Sequence, residues 1–368
     1  QALCVPLRDI VDGYRRELRR LHPFEQVVAD LTVRARVKKD GLTLYNLLDE
    51  IHESRKMILE ASKEWIYKIK NAETAKESNM LIIEATDALV QLYQVTAFDA
   101  VGGMVDLQRS LRTAPAVQLD TPAVVLVGAP NVGKSSIVRY ISSATPEVNN
   151  YPFTTRGMTL GHVEVFWSNE DDHTISRAIV PGNRVKDGKG DNDDEDNTEK
   201  KKKRRRDVSP DVLSGKYAYS QLCQVMDSPG VLVRPEGQEQ QRNEMEELTL
   251  AAMKHLPTAV MYVMDLSGQA GDKCSSIEDQ LQLRREIRSR FPRRPWIDVV
   301  SKIDLGIDEV SLKELEEDVL DGTPYIQLSI KDGTGIDQLR TEVLRMLGEV
   351  RVVLDAMAAV DDRSARSH

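Results

Sequence analysis

The chain has 368 residues, 40% of them hydrophobic and 30% charged, enough for two or three domains with proper cores. Its net charge of −9 argues against a surface that coats nucleic acid throughout, and no apolar run approaches the length of a bilayer span. Cys4, Cys223 and Cys274 are an odd set with no close pair, so neither a disulfide framework nor a zinc site is indicated and a reducing compartment fits.

A short helical pattern precedes "LHPF" at 21–24. From Gly41 to Lys70 the apolar positions Leu44, Leu47, Leu48, Ile51, Ile58, Trp65, Ile66 and Ile69 recur at three- and four-residue steps, the period of a helix with one buried face. A second such segment runs from about Met80 to Leu111, so residues 1–119 read as a helical bundle or long helical hairpin. At Thr121 the texture changes. "PAVVLVG" has the pattern of a short buried strand that enters a glycine loop and then the helix "KSSIVRYISSA". Apolar strands follow at "QLCQVMD", "TAVMYVMDL", "WIDVVS" and "YIQLS", separated by helical patterns. This alternation predicts a doubly wound, mostly parallel α/β sheet over 120–350, with 351–368 as a short tail. Residues 168–215 fit neither texture: an acidic block is followed by seven consecutive basic residues, Lys200 to Arg206. That composition reads as a disordered insertion between two paired strands, with nuclear localisation or RNA contact as its sharper reading.

The strongest chemical signal is "GAPNVGKSS". Gly128 and Gly133 bracket four residues ahead of Lys134 and Ser135, the spacing of a P-loop. Its backbone amides would surround phosphates, Lys134 would reach the β/γ oxygens, and Ser135, followed by Ser136, would offer a hydroxyl to Mg2+. In "YPFTTRG" a threonine, Thr155 in preference to Thr154, would place its hydroxyl on magnesium and sense the γ-phosphate. Asp227 to Gly230 form an Asp-x-x-Gly at a strand end: the carboxylate would reach magnesium through water and the Gly230 amide the γ-phosphate. Val231 then occupies the place where a Ras-like enzyme has its water-orienting glutamine. In "VVSKID", Asp304 would accept both N–H groups of guanine and the stem of Lys302 would cover the ring. Ser301 stands where guanine-specific enzymes carry asparagine, a change worth about one neutral hydrogen bond, roughly 0.5–1.5 kcal/mol. Ser329 and Ile330 follow the last strand, where guanine O6 would meet a backbone N–H.

These elements, in this order, resemble the Obg branch of the GTPases, and within it the nucleolar GTP-binding protein family. "NNYPFTT", the P-loop, "LHPF", "GMTLGHVEV", "RNEMEELTLAAMKHL" with Arg242, Asn243, Glu246 and His255, and "AVMYVMDLSGQAG" carry the likeness. The resemblance implies a P-loop GTPase domain after an N-terminal helical bundle, with GTP and Mg2+ as ligands. It also implies a slow enzyme that acts on the immature large ribosomal subunit, contacting rRNA, ribosomal proteins and other assembly factors, monomeric on the particle and not on a membrane. An apolar residue at 231 fits the branch. Asn131 stands where several relatives help hold K+ near the phosphates, leaving water to be positioned by switch backbone and Thr155, with Lys134, Gly230 and the cations stabilising charge. Arg15, Arg16, Arg19 and Arg20, "RARVKK" and "RREIRSRFPRR" are candidate rRNA contacts. The long basic C-terminal extension of nucleolar members is missing and the chain starts at Gln1, so a mitochondrial matrix relative is expected, with the nucleolus as alternative. A different class also fits: a nucleotide-insensitive scaffold for which Ser301 marks a decayed base site.

Overall fold

The computed structural model describes residues 2–37, 44–112, 117–142, 147–149, 158–168, 217–232, 243–268, 275–319 and 325–366. They divide into a helical unit and a sheet unit. Most of the charged insertion, and both Thr154 and Thr155, lie outside the described residues.

The helical unit contains α1 (Cys4–Leu18), α2 (Pro23–Val37), α3 (Leu44–Lys70), α4 (Ala75–Thr96) and α5 (Phe98–Arg112). Its core gathers Leu7, Val11 and Leu18 of α1, Leu47, Leu48, Ile51 and Ile58 of α3, and Met104 and Leu107 of α5. The apolar stripe of α3 outlasts that core: Ile66 is exposed, and Ala85 is the one buried residue of α4. The single segment expected from Met80 to Leu111 is two helices. The break falls at Ala97, which is fully buried, and Ser54 of α3 donates its hydroxyl to the Thr96 carbonyl at 2.7 Å. That carbonyl belongs to the last turn of α4, where the helix itself supplies no partner.

Among the described residues the sheet unit has seven strands: β1 (Ala123–Val127), β2 (Glu147–Asn149), β3 (Met158–Ser168), β4 (Tyr217–Asp227), β5 (Thr258–Met264), β6 (Trp296–Ser301) and β7 (Tyr325–Leu328), in the order β2-β3-β4-β1-β5-β6-β7. β4, β1, β5, β6 and β7 run parallel, and β2 and β3 complete one edge antiparallel. β3 and β4, which flank the insertion, pair antiparallel out to Ser168 and Tyr217. The helices are α6 (Lys134–Ile141), α7 (Glu244–His255), α8 (Ile277–Arg290), the short α9 (Glu309–Glu314) and α10 (Ile336–Arg366). β5 is buried along its whole length, which requires cover on both faces. Ala259, Met261 and Val263 pack with α6 and α10, while Tyr262 points the other way and donates its hydroxyl to Gln280 of α8.

Residues 351–366, expected as a tail, continue α10 beyond Val350, the last buried residue among those of α10 whose burial is described. An Arg351–Asp355 pair one turn apart supports the extension, where Val353, Met357 and Val360 are exposed. The parallel order with its crossover helices puts the carboxyl ends of β1, β4, β5, β6 and β7 together, and the loops leaving those ends build the site.

Candidate functional site

The turn between β1 and α6 has the backbone its glycines predict. Gly128 has φ +149° and a Cβ there would fall 2.1 Å from the Val263 carbonyl oxygen, so no larger residue fits between β1 and β5. Gly133 has φ +96° and Asn131 φ +64°, giving the loop its left-handed steps. The helix ladder begins with Ser136 and Ile137 N–H on the Gly133 carbonyl, leaving the earlier amides of the turn outside it, the arrangement that binds anionic oxygens. The buried Lys134 curls into the turn and donates to the carbonyls of Gly128 at 3.0 Å and Ala129 at 2.6 Å.

Asp227 ends β4 beside this turn and accepts a hydrogen bond from the Ser135 hydroxyl. Burial pushes the Asp227 carboxyl up from its ordinary value, against the pull of Ser135, Lys134 and Arg139. A hydroxyl and a desolvated carboxylate side by side are hard oxygen donors, a set that suits Mg2+, whose charge would offset that burial. The rest of the Asp-x-x-Gly segment is stitched to the P-loop. Ser228 donates its hydroxyl to Leu126 O at 2.5 Å, and Val231 N–H donates to Gly128 O at 3.2 Å. A Cβ on Gly230 would lie 2.5 Å from Pro130 N, so the two loops touch backbone to ring at that point. Val231 is fully buried and has no face toward the phosphate turn's solvent.

The base-side residues meet across a cavity of about 350 Å3 lined by Gly133, Ser136, Ser301, Lys302, Asp304 and Ile330, among others. Lys302, at φ +58°, donates its ammonium to Asn131 O at 2.6 Å and to Asp265 Oδ2 at 2.9 Å, locking this loop to the P-loop. Asp304 accepts from the Ser329 hydroxyl at 3.0 Å, which orients its carboxylate. Ser301 lines this cavity, and its buried hydroxyl donates toward Val132 O at 2.5 Å and Met264 O at 3.0 Å, a strut between the P-loop and the end of β5. The Ser329 N–H closes its own loop on Thr334 O at 3.1 Å, which leaves Ile330 as the residue of that pair at the cavity wall. Thr155 lies outside the described residues.

Three supporting residues have no role in the sequence reading. Asp265, one position beyond β5, is buried and takes Lys302 on one oxygen and Ser267 on the other. Burial would raise its carboxyl, but the bonds from Ser267 and Lys302 prevail and hold it below the usual range. Gln280 of α8 clips the Asp265 backbone with both ends of its amide, at 2.9 and 3.1 Å. Glu246, fully buried in α7, accepts from Leu232 N–H at 3.0 Å and Asn243 N–H at 3.2 Å, while Asn243 caps the helix by accepting from Glu246 N–H at 2.9 Å. Asn-x-x-Glu before an apolar run is a capping-box signature, so half of that arrangement had a sequence signal. The reach to Leu232 had none.

The basic cluster at 284–294 also changes character. Arg284 is buried in a two-bond ion pair with Asp298, at 2.8 and 2.7 Å, and its guanidinium lies 6.0 Å from the Trp296 ring. Arg288 sits 5.2 Å from the same ring, and Arg294 donates to the carbonyls of Lys254 and Thr258. Arg284, Arg288 and Arg294 are therefore structural. Arg285 and Arg290 are paired with Glu314 and Glu286.

A parallel sheet with a glycine turn after its first strand, a carboxylate at the end of the neighbouring strand and an Asp–Lys base loop at the far end defines the P-loop GTPase fold, preceded in sequence by a helical unit. Residues 1–118 match the NOG1 N-terminal helical domain, and residues 244–304 match nucleolar GTP-binding protein 1. Over these two stretches the chain is similar to the NOG1 family. It is 24% identical over 339 residues to nucleolar GTP-binding protein 1 of Drosophila melanogaster, covering 90% of this chain and 42% of that protein. It is 25% identical over 316 residues to the Arabidopsis thaliana protein of the same name, covering 84% and 37%. The chain thus spans about two fifths of the length of these relatives. A crystal structure of a candidate nucleolar GTP-binding protein 1 from Plasmodium falciparum aligns at a TM-score of 0.39 and 21% identity, over 68% of this chain and 99% of that one. That is a likeness too loose to build on.

Proposed function

We propose that this chain binds Mg2+ and GTP and hydrolyses GTP slowly while acting on a maturing large ribosomal subunit. The observation that carries the reading is that the P-loop is bonded on one side to Asp227, through Ser135, and on the other to Lys302, through Asn131 O. Lys134 and Ser135 meet Asp227 at the phosphate end, and Asp304 is held by Ser329 at the base end. Adenine has no N–H pair in the place where guanine offers N1–H and N2–H, so a fixed carboxylate there selects guanine.

Within this reading the P-loop amides and Lys134 would bind the phosphates, and Ser135 and Asp227 would hold a magnesium ion, which would supply charge neutralisation. Lys134, which donates to Gly128 O and Ala129 O, is the ammonium nearest the phosphate turn and would serve the nucleotide from there. Val231, being buried, takes no part in placing water, so that work falls to switch backbone and to Thr155, with K+ near Asn131 as a further charge. Turnover is then slow in the isolated protein and faster in potassium than in sodium. Residues 1–119 supply contacts to rRNA and proteins, residues 120–350 the nucleotide site. Among the described residues no helix is long and apolar enough to cross a membrane. The relatives' name, nucleolar GTP-binding protein 1, favours the nucleolus over the mitochondrial matrix expected from sequence.

Equilibrium binding of GTP and ATP to the full chain, with and without Lys134→Ala, tests this reading. GTP should bind well ahead of ATP and lose most of its affinity in the variant. Equal, negligible binding of both would instead support a scaffold that ignores nucleotide.

A further inference from the structure

Ser301 departs from the asparagine of guanine-specific enzymes, and its geometry bears on which atoms of the base are read. A serine hydroxyl has one proton and two lone pairs. Here two carbonyl oxygens compete for that proton, Val132 O at 2.5 Å and Met264 O at 3.0 Å, and Ser301 is buried between the P-loop and β5. What remains on the hydroxyl is acceptor capacity.

The nucleotide's long axis is set by the site. On the guanine-nucleotide reading, phosphates at Lys134 and a Watson–Crick edge at Asp304 would set the imidazole ring of the purine between them, alongside Ser301 and Gly133, which line the same cavity. The distance from Ser301 Oγ to a Cβ built on Gly133 is 3.8 Å. On that ring N7 is an acceptor, as O6 is beside it. Two acceptors facing each other make no hydrogen bond. Turning the Ser301 proton to N7 would strand the buried Val132 carbonyl, exchanging one bond for another without net gain. The ammonium of Lys302 is held by Asn131 O and Asp265.

We propose that this site reads guanine through N1, N2 and O6 and is blind to N7, Ser301 having been given over to bracing the P-loop. The inference rests on the guanine-nucleotide reading above and adds a specificity that an asparagine at 301 would not give, since an asparagine carries two amide protons and can brace the loop and serve N7 together.

The test is binding of GDP, 7-deaza-GDP and ADP to the full chain, measured by competition against one fluorescent guanine nucleotide or directly by calorimetry. Replacing N7 by C–H removes the acceptor and leaves the Watson–Crick edge unchanged. A hydrogen bond at N7 would be worth about two- to tenfold in affinity. The expected result is that GDP and 7-deaza-GDP bind within about twofold of each other and both well ahead of ADP. Ser301→Ala should weaken both guanine nucleotides equally, because it removes the brace and no base contact. Ser301→Asn, where it folds, should open a gap of several-fold in favour of GDP. A preference of threefold or more for GDP over 7-deaza-GDP in the parent chain overturns the inference while leaving the guanine reading intact. Binding of neither guanine nucleotide ahead of ADP overturns both.

Discussion

Replacing Glu246 by alanine removes a buried carboxylate that holds the end of the Asp-x-x-Gly segment to the start of α7. Its two oxygens accept from Leu232 N–H at 3.0 Å and Asn243 N–H at 3.2 Å, and the side chain is fully buried. A hydrogen bond to a charged group is worth about 1.5–3 kcal/mol. Losing the Leu232 bond should therefore speed exchange of that amide by about 10- to 150-fold, provided the segment opens locally and the sheet stays closed. Hydrogen exchange followed by mass spectrometry on a peptide spanning Leu232, with a peptide from β5 as internal reference, reads the effect. Asn243→Ala is the control: it removes the cap on Glu246 N–H, costs about 1 kcal/mol of helix stability, and keeps the carboxylate in reach of Leu232. An unchanged Leu232 rate in Glu246→Ala, or an equal rise in Asn243→Ala, would refute the idea that this carboxylate ties the switch segment down.

Three further outcomes follow from the geometry. Gly128→Ala puts a methyl 2.1 Å from Val263 O at φ +149° and should abolish nucleotide binding or folding, scored by thermal melting with and without GDP. Arg284→Ala leaves Asp298 as a buried, unpaired carboxylate beside Tyr262 and should cost about 3–5 kcal/mol in urea denaturation, whereas Arg285→Ala at the exposed pair with Glu314 should cost no more than about 1. Val231→Gln should lower stability by burying an amide and leave the hydrolysis rate no faster, measured as phosphate release per bound nucleotide.

The P-loop was legible because its glycines are demanded locally: only Gly fits φ +149° against Val263 O, and that demand leaves a spacing in the sequence. The strands were legible because β1 and β5 are buried on both faces and so read as unbroken apolar runs. What the sequence could not reveal depends on groups far apart in the chain. The break at Ala97 carries no glycine or proline, and the Ser54 hydroxyl that serves Thr96 O is 42 residues away. The bracing role of Ser301 was hidden because sequence gives residue type, and only the fold shows Val132 O and Met264 O converging on its one proton. The arginines of 284–294 looked like a charged surface for the same reason. Their spacing does not say that Asp298, inside β6, is waiting for Arg284. Asp265 and Gln280 act through Lys302 and through a backbone, and neither leaves a local pattern.

The account centres on a guanine nucleotide held between Lys134 and Asp304. The most direct measurement is the affinity of the full chain for GTP and for xanthosine triphosphate, before and after Asp304→Asn. Losing a carboxylate that accepts two N–H bonds should cost GTP about a hundredfold or more, while the xanthine base, with an oxygen in place of the 2-amino group, should gain by pairing with the new amide. No change in either affinity, or no measurable GTP binding in the parent chain, would contradict it.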